Sequence, residues 1–237
     1  MKLFSDEQPG AVEVSSGGDY APVDWHQNGR KYNLIYCDPP WPYRSRSAHK
    51  KTKFGGGATA NYHTPTIEEI AALPVANLAD TPCALAMWIT GPHLHNARRI
   101  MEAWGFEYVE TILFTWVKTN PVSGNVFYGP GFYTGSNVEL VLLGRRGRLS
   151  IASRGVSQVI MEPHPRDPLT SRIIHSRKPA SVRDRLVRLF GEVPRIEIFA
   201  REWMPGWDAI GNQLPRERIT PGTVYAPIPY GEQLTLF

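Results

Sequence analysis

Tyr32-Asn33-Leu34-Ile35-Tyr36-Cys37 is a short apolar run, and Asp38-Pro39-Pro40-Trp41 follows it without a break. Proline has no backbone N–H to donate, so a strand built from the first six residues has to end at Pro39-Pro40. Asp38 then stands at the carboxyl end of a buried strand. Working outward, Thr66-Ile67-Glu68-Glu69 has capping-box spacing and opens a short helix through Leu73. Residues 83–89 read as a buried strand, and Pro92 begins a helix to about Trp104, stopped by Gly105. Further strands are expected over residues 107–117, 138–143, 158–161 and 195–200, with 144–154 read as a basic turn. Pro179 starts an amphipathic helix to Phe190, stopped by Gly191. Strands alternating with helices indicate the α/β class, with helices on both faces of a sheet. In such sheets ligands bind beyond the carboxyl ends of the strands, where Asp38 is expected.

Composition narrows the function classes. Of 237 residues 42% are hydrophobic and 11% aromatic, enough for a sizeable core and too apolar for wholesale disorder. No apolar run approaches the roughly 18 residues of a membrane-spanning helix. The opening MKLFSDEQPG lacks the apolar stretch of a signal peptide. The two cysteines, Cys37 and Cys83, both lie in strand-like runs, which suits a reduced, cytoplasmic protein. Lys and Arg exceed Asp and Glu by 26 to 22, with a pI of about 9.1, a balance that permits a polyanionic partner without requiring one.

Three regions are organised differently. Residues 1–30 are rich in Gly, Pro and Ser with no sustained period, and read as a loose arm ahead of a domain over 31–214. Residues 44–61 hold five basic side chains (Arg44, Arg46, Lys50, Lys51 and Lys53), no acid and three consecutive glycines, and read as a mobile loop. Residues 215–237 are proline-rich and read as a tail.

The chemistry is carried by Asp38-Pro39-Pro40-Trp41. The exocyclic amine of adenine is planar and a poor nucleophile, because its lone pair is delocalised into the ring. A carboxylate accepting one N–H and a carbonyl accepting the other favour the geometry from which nitrogen attacks. Asp38 supplies the first acceptor and Pro39 the second, and Trp41 offers a flat face to an extruded base. The alternative is a rigid turn with Trp41 packed in the core. The seven histidines form no metal constellation, since His93 and His95 face different ways on a helix. Gly55–Gly57 follows no strand, so a P-loop is rejected. Cys37 reads as a core residue and not a nucleophile.

The ordered set of motifs resembles the adenine N6-methyltransferases typified by the catalytic subunit of the eukaryotic mRNA methyltransferase, a family with bacterial and phage relatives. The resemblance runs over about residues 32–214: the strand ending in DPPW, Tyr62-His63-Thr64, MWITG (87–91), AWGF (103–106), WVKTN (116–120), Glu139 before LVLLG, HSRKP (175–179), IEIFAR (196–201), and Trp207 followed by Gly211-Asn212-Gln213. It implies a Rossmann-like fold with a mainly parallel sheet and permuted motif order, and S-adenosyl-L-methionine as methyl donor. It also implies an enzyme that methylates adenine in nucleic acid; DNA is the expected substrate, on the strength of the C-terminal peptide described below, with RNA methylation or a non-catalytic nucleic-acid-binding subunit as alternatives. Carried over residue by residue, Asp38, Lys178, Glu197, Arg201, Asn212 and Gln213 fall at cofactor positions. Tyr62, Lys118 and Glu139 fall around the substrate pocket, and the basic residues from Arg44 to Lys53 are placed to grip phosphates. After Arg201 this chain has Glu-Trp-Met in place of polar donors, so Trp203 and Met204 are expected to cover the cofactor by packing. The last five residues, Gln233-Leu234-Thr235-Leu236-Phe237, resemble the peptide by which bacterial replication and repair proteins dock on the sliding clamp, with Gln233, Leu234, Leu236 and Phe237 as the contacts.

Overall fold

A computed structural model of the protein describes Trp25 and residues 29–42, 65–129, 131, 133–167, 169–174, 176–211 and 214. Arg44, Arg46, Lys50, Lys51, Lys53, Tyr62, Asn212, Gln213 and the clamp-like peptide Gln233–Phe237 lie outside the described residues. So do most of the 1–30 arm and the 215–237 tail.

The elements in chain order are β1 (Tyr32–Cys37), α1 (Ile67–Ala71), β2 (Ala79–Ile89), α2 (Leu94–Ala103), β3 (Glu107–Thr119), β4 (Val138–Arg146), β5 (Val159–Pro163), α3 (Ser181–Phe190), β6 (Arg195–Ile198) and β7 (Asp208–Ile210). The strands form one sheet in the order β5-β3-β4-β2-β1-β6-β7. Only β4 runs against its neighbours; β1 pairs in parallel with β2 and β6, β3 with β5, and β6 with β7. The sheet is therefore mainly parallel. Because β1 is flanked by β2 on one side and β6 on the other, chain order reverses there, and a crevice opens beyond its carboxyl end.

Local signals account for most element ends. The Thr66 hydroxyl accepts the Glu69 N–H at 3.1 Å, and Glu69 reaches back to the Thr66 N–H at 2.7 Å, which closes the expected capping box. Gly105 at φ +76° stops α2, and Gly191 at φ +81° stops α3, a backbone region that favours glycine. Elsewhere sheet pairing overrides local reading. Gly144, Arg145 and Arg146, read as a turn, extend β4 because they pair with Leu85, Ala84 and Cys83. β6 ends at Ile198, since Phe199 turns the chain with φ +62°. Strand β7 has only three residues, too few to show a period, and exists because it pairs with β6.

The core has two halves. On one face Ile35, Cys37, Leu85, Met87 and Ile89 pack against Ile70 of α1 and Ala97, Ile100 and Met101 of α2. On the other, Leu34, Tyr36, Ala86, Trp88, Phe114 and Trp116 pack against Val182, Leu186 and Phe190 of α3. Helices thus cover both faces, as expected, and β1 is buried on both. Among the described residues no helix is long and apolar enough to cross a membrane. Both cysteines are free and buried, and burial pushes the Cys83 thiol up to about 12, which keeps it protonated and inert at neutral pH.

Candidate active site

Side chains alternate along a strand, so residues two apart share a face. Asp38 follows Tyr36 onto the α3 face. By the same parity Trp88 of β2, Lys118 of β3, Glu139 of β4 and Glu197 of β6 point to that face, near the carboxyl ends of the parallel strands. β4 runs the other way, so its first residues, Glu139 among them, lie at that end.

There they form a continuous charged chain. Lys118 Nζ lies 2.7 Å from Glu139 Oε1, Lys178 Nζ lies 3.3 Å from Glu139 Oε2, and Lys178 Nζ donates to Asp38 Oδ2 at 2.7 Å. All four side chains are largely buried. Two cations alternate with two anions, so no charge is left uncompensated. Lys178 comes from the segment before α3 and sits over the Trp88 ring at 5.5 Å; Lys118 sits over Trp116 at 5.3 Å. The two acids are pushed apart. Burial raises the Asp38 carboxyl above its usual range, with Lys178 opposing only in part. Burial works on Glu139 too, but Lys178 and Lys118 together hold its carboxyl below the usual range. Glu139 is thus held more firmly as an anion than Asp38, whose carboxylate is kept charged beside Lys178 against the cost of its burial.

The Asp-Pro-Pro-Trp turn is braced. Pro39 is buried, and its carbonyl accepts the Trp41 N–H at 2.8 Å, a three-residue turn that leaves a second lone pair on that oxygen. Trp41 is only 6% exposed: its indole Nε1 donates to the Trp88 carbonyl at 3.1 Å. Its ring stacks on His93, with centroids 5.3 Å apart and planes 17° from parallel. His93 Nε2 lies 2.8 Å from the Pro42 carbonyl oxygen. His93 therefore locks the turn from behind, and Trp41 lies in the core cluster beneath it.

Beside Asp38 is a cleft lined by Tyr36, Lys178, Arg183, Glu197, Arg201 and Phe199. Phe199 and Ser176, which also lines it, are two of the three described non-glycine residues with positive φ, at +62° each. Backbone of this kind collects at ligand sites because the surrounding structure must hold it there. Arg183 grips Glu197 in bidentate fashion, Nε to Oε2 at 2.7 Å and Nη2 to Oε1 at 2.9 Å, and reaches Glu202 at 3.5 Å, which Arg177 also pairs. The third guanidinium nitrogen, Arg183 Nη1, is buried with no hydrogen-bond partner among the described residues. Tyr36 lies under Arg183 and accepts from Trp88 Nε1 at 2.6 Å.

The sequence profile of the MT-A70 family matches residues 32–213, from the first residue of β1 to just past β7. The chain belongs to the MT-A70 family. Membership carries S-adenosylmethionine as methyl donor and N6 of adenine as the position methylated. A type II methyltransferase, M.MunI of Mycoplasma, is 32% identical over 204 residues, which are 80% of this chain and 81% of that protein. The human N(6)-adenosine-methyltransferase catalytic subunit METTL3 is 27% identical over 187 residues, 78% of this chain but only 28% of its own length. The human N(6)-adenine-specific methyltransferase METTL4 is 29% identical over 197 residues, 38% of its length.

For an MT-A70 protein, then, the structure brings Asp38, Lys178, Glu139 and Lys118 into one chain and sets Glu197 and Arg201 on the adjoining cleft. Met204, expected over the cofactor, packs against the core on the α3 face. Sequence reasoning missed Arg183, Glu202, Tyr36 and His93. A signal for Arg183 was present: it stands three residues before Leu186 and seven before Phe190, so it lies on the buried stripe of α3, where an unpaired arginine is costly.

Proposed function

We propose that this protein methylates N6 of adenine in DNA, and that the adenine is flipped out of the duplex into the crevice at Asp38. The similarity to a type II methyltransferase over four-fifths of both chains carries the DNA reading. The METTL3 likeness supports the same chemistry but spans about a quarter of that protein.

The residues of the cleft fit the donor. S-adenosylmethionine supplies an electrophilic methyl group on a sulfonium. Its amino-acid end carries both charges, and Lys178 and Asp38 present both charges 2.7 Å apart. Its ribose hydroxyls need acceptors and donors: Glu197 and Arg201 on the cleft offer both, the family resemblance assigns Asn212 and Gln213 to the same task, and Arg183 Nη1, without a partner among the described residues, is a buried donor on the cleft wall. Lys178 occupies Asp38 Oδ2, so Oδ1 accepts one N–H of the adenine amine while the second lone pair on the Pro39 oxygen accepts the other. Much of the rate then comes from alignment of amine and methyl group. Pro40 stiffens the turn, and Trp41, 6% exposed and stacked on His93, fixes it from the core. Arg44, Arg46, Lys50, Lys51 and Lys53 grip backbone phosphates, and Tyr62 contacts the substrate, as the family resemblance implies. Lys118 and Glu139 hold Lys178 in place.

Incubation of the purified protein with labelled S-adenosylmethionine and unmethylated DNA or RNA is the direct test. Label is expected in DNA, and label in RNA alone overturns the reading. The clamp-like peptide adds an independent argument for DNA, since a clamp encircles duplex and tethering raises local substrate concentration. Intact protein is expected to be captured by immobilised sliding clamp, and the Leu236→Ala/Phe237→Ala variant to be lost. Equal capture of both removes that argument.

A further inference from the structure

The loop joining β3 to β4, residues 120–137, springs from the charged chain at both ends. Lys118 and Glu139 flank it, the Lys118 N–H donates to the Asn137 carbonyl at 2.9 Å, and the Phe127 N–H donates to the Lys118 carbonyl at 2.7 Å. It therefore rises at the rim of the Asp38 crevice. Its sequence, NPVSGNVFYGPGFYTGSN, contains no charged residue. Yet it exposes large rings: Tyr128 is 80% exposed, and Tyr133 lies wholly in solvent. Neither ring serves the core clusters.

The backbone that presents them is tightly folded. The Ser136 N–H donates to the Gly129 carbonyl at 3.0 Å. A Cβ added at Gly129 would meet the Ser136 carbonyl oxygen at 2.8 Å, and one at Gly131 the Thr134 carbonyl oxygen at 1.9 Å. A Cβ at Gly135 would meet the Tyr128 ring at 2.6 Å, so one face of that ring lies on the glycine and the rest faces solvent. Glycines here allow close approach of chain segments. Over its described residues the loop is a preformed pedestal, and a preformed contact loses little entropy on binding.

We infer that this loop is a base-contacting surface, with Tyr128 and Tyr133 stacking on DNA bases next to the adenine that enters the crevice. The inference rests on the nucleic-acid methyltransferase reading. A loop without cations neutralises no phosphates, so its contribution is to bases and not to the backbone. Flipping one base leaves its neighbours with an unstacked face, and an aromatic ring at the rim restores that stacking. Base–aromatic stacking is tolerant of sequence, which suits a protein in which the described residues comprise one domain.

The test compares wild type with Tyr128→Ala/Tyr133→Ala and with Tyr133→Trp, measuring methyl transfer to unmethylated bacterial genomic DNA. The double variant is expected to raise KM for DNA about tenfold while S-adenosylmethionine affinity by calorimetry and the thermal midpoint stay as in wild type. Tyr133→Trp is expected to keep the wild-type KM. An unchanged KM for DNA in the double variant overturns the inference. So does a change in sedimentation alone, which would mark the loop as a protein contact. Wild-type protein that fails to methylate DNA sinks the parent reading instead, and is seen in the same assay.

Discussion

Asp38→Ala is expected to leave methyl transfer undetectable, a loss on the order of a thousandfold or more, because it removes the carboxylate proposed to align the amine. The fold is expected to survive. Lys178 loses its 2.7 Å partner but keeps Glu139 at 3.3 Å, so no isolated cation is buried. Label transfer read beside a thermal melt separates the two effects; full activity in this variant would discard the proposed site. The pH dependence follows from the charges. On the proposed mechanism the transfer step needs Asp38 ionised, and burial raises its carboxyl above the ordinary range, so kcat is expected to fall on acidification at a pH above that of an ordinary aspartate. Lys178 opposes that rise, so Lys178→Met is expected to move the acid limb further up. A limb that stays put, measured at saturating donor, would show that Asp38 is not the titrating group.

The largest effect on stability is expected at Arg183. Both Arg183 and Glu197 have side chains about nine-tenths buried and share two hydrogen bonds. Arg183→Leu strands the Glu197 carboxylate in the core at a cost of about 3–5 kcal/mol, to be read from urea unfolding. Burial already raises the Glu197 carboxyl, with Arg183 opposing; without the arginine it rises further. A raised carboxyl binds its proton more tightly in the folded state, so the variant's deficit should be small below the ordinary glutamate range and grow as pH rises above it. Arg183→Leu/Glu197→Leu is expected to recover most of the lost stability, since a well-packed apolar pair often matches a buried ion pair. A single variant as stable as wild type at neutral pH would show that the pair is not the buried contact described.

Much of this site was legible before folding was considered. Pro39-Pro40 ends β1 because proline lacks a donor, and that alone puts Asp38 at a strand's carboxyl end. The capping box at Thr66–Glu69 and the glycines at 105 and 191 set helix ends through contacts only a few residues long. Parity along each strand would also have put Asp38 with Tyr36, and Glu197 opposite Ile196 and Ile198.

Other features depended on partners far along the chain. Gly144–Arg146 carries turn-like residues and becomes strand only because β2 lies beside it. Strand β7 is too short for any period and is held by β6 alone. That Lys178 meets Asp38, 140 residues away, follows from β1 lying in mid-sheet with α3 packed over it. Trp41 could equally have faced a base or the core by sequence; His93, on the turn before α2, stacks on its ring within the core. Residue chemistry and strand parity, which act over a few residues, were thus determined by the sequence itself. Lateral strand order, the pairing of buried charges and the direction of their pKa shifts were decided by tertiary structure, because desolvation and ion pairing depend on which neighbours the fold brings within a few ångströms.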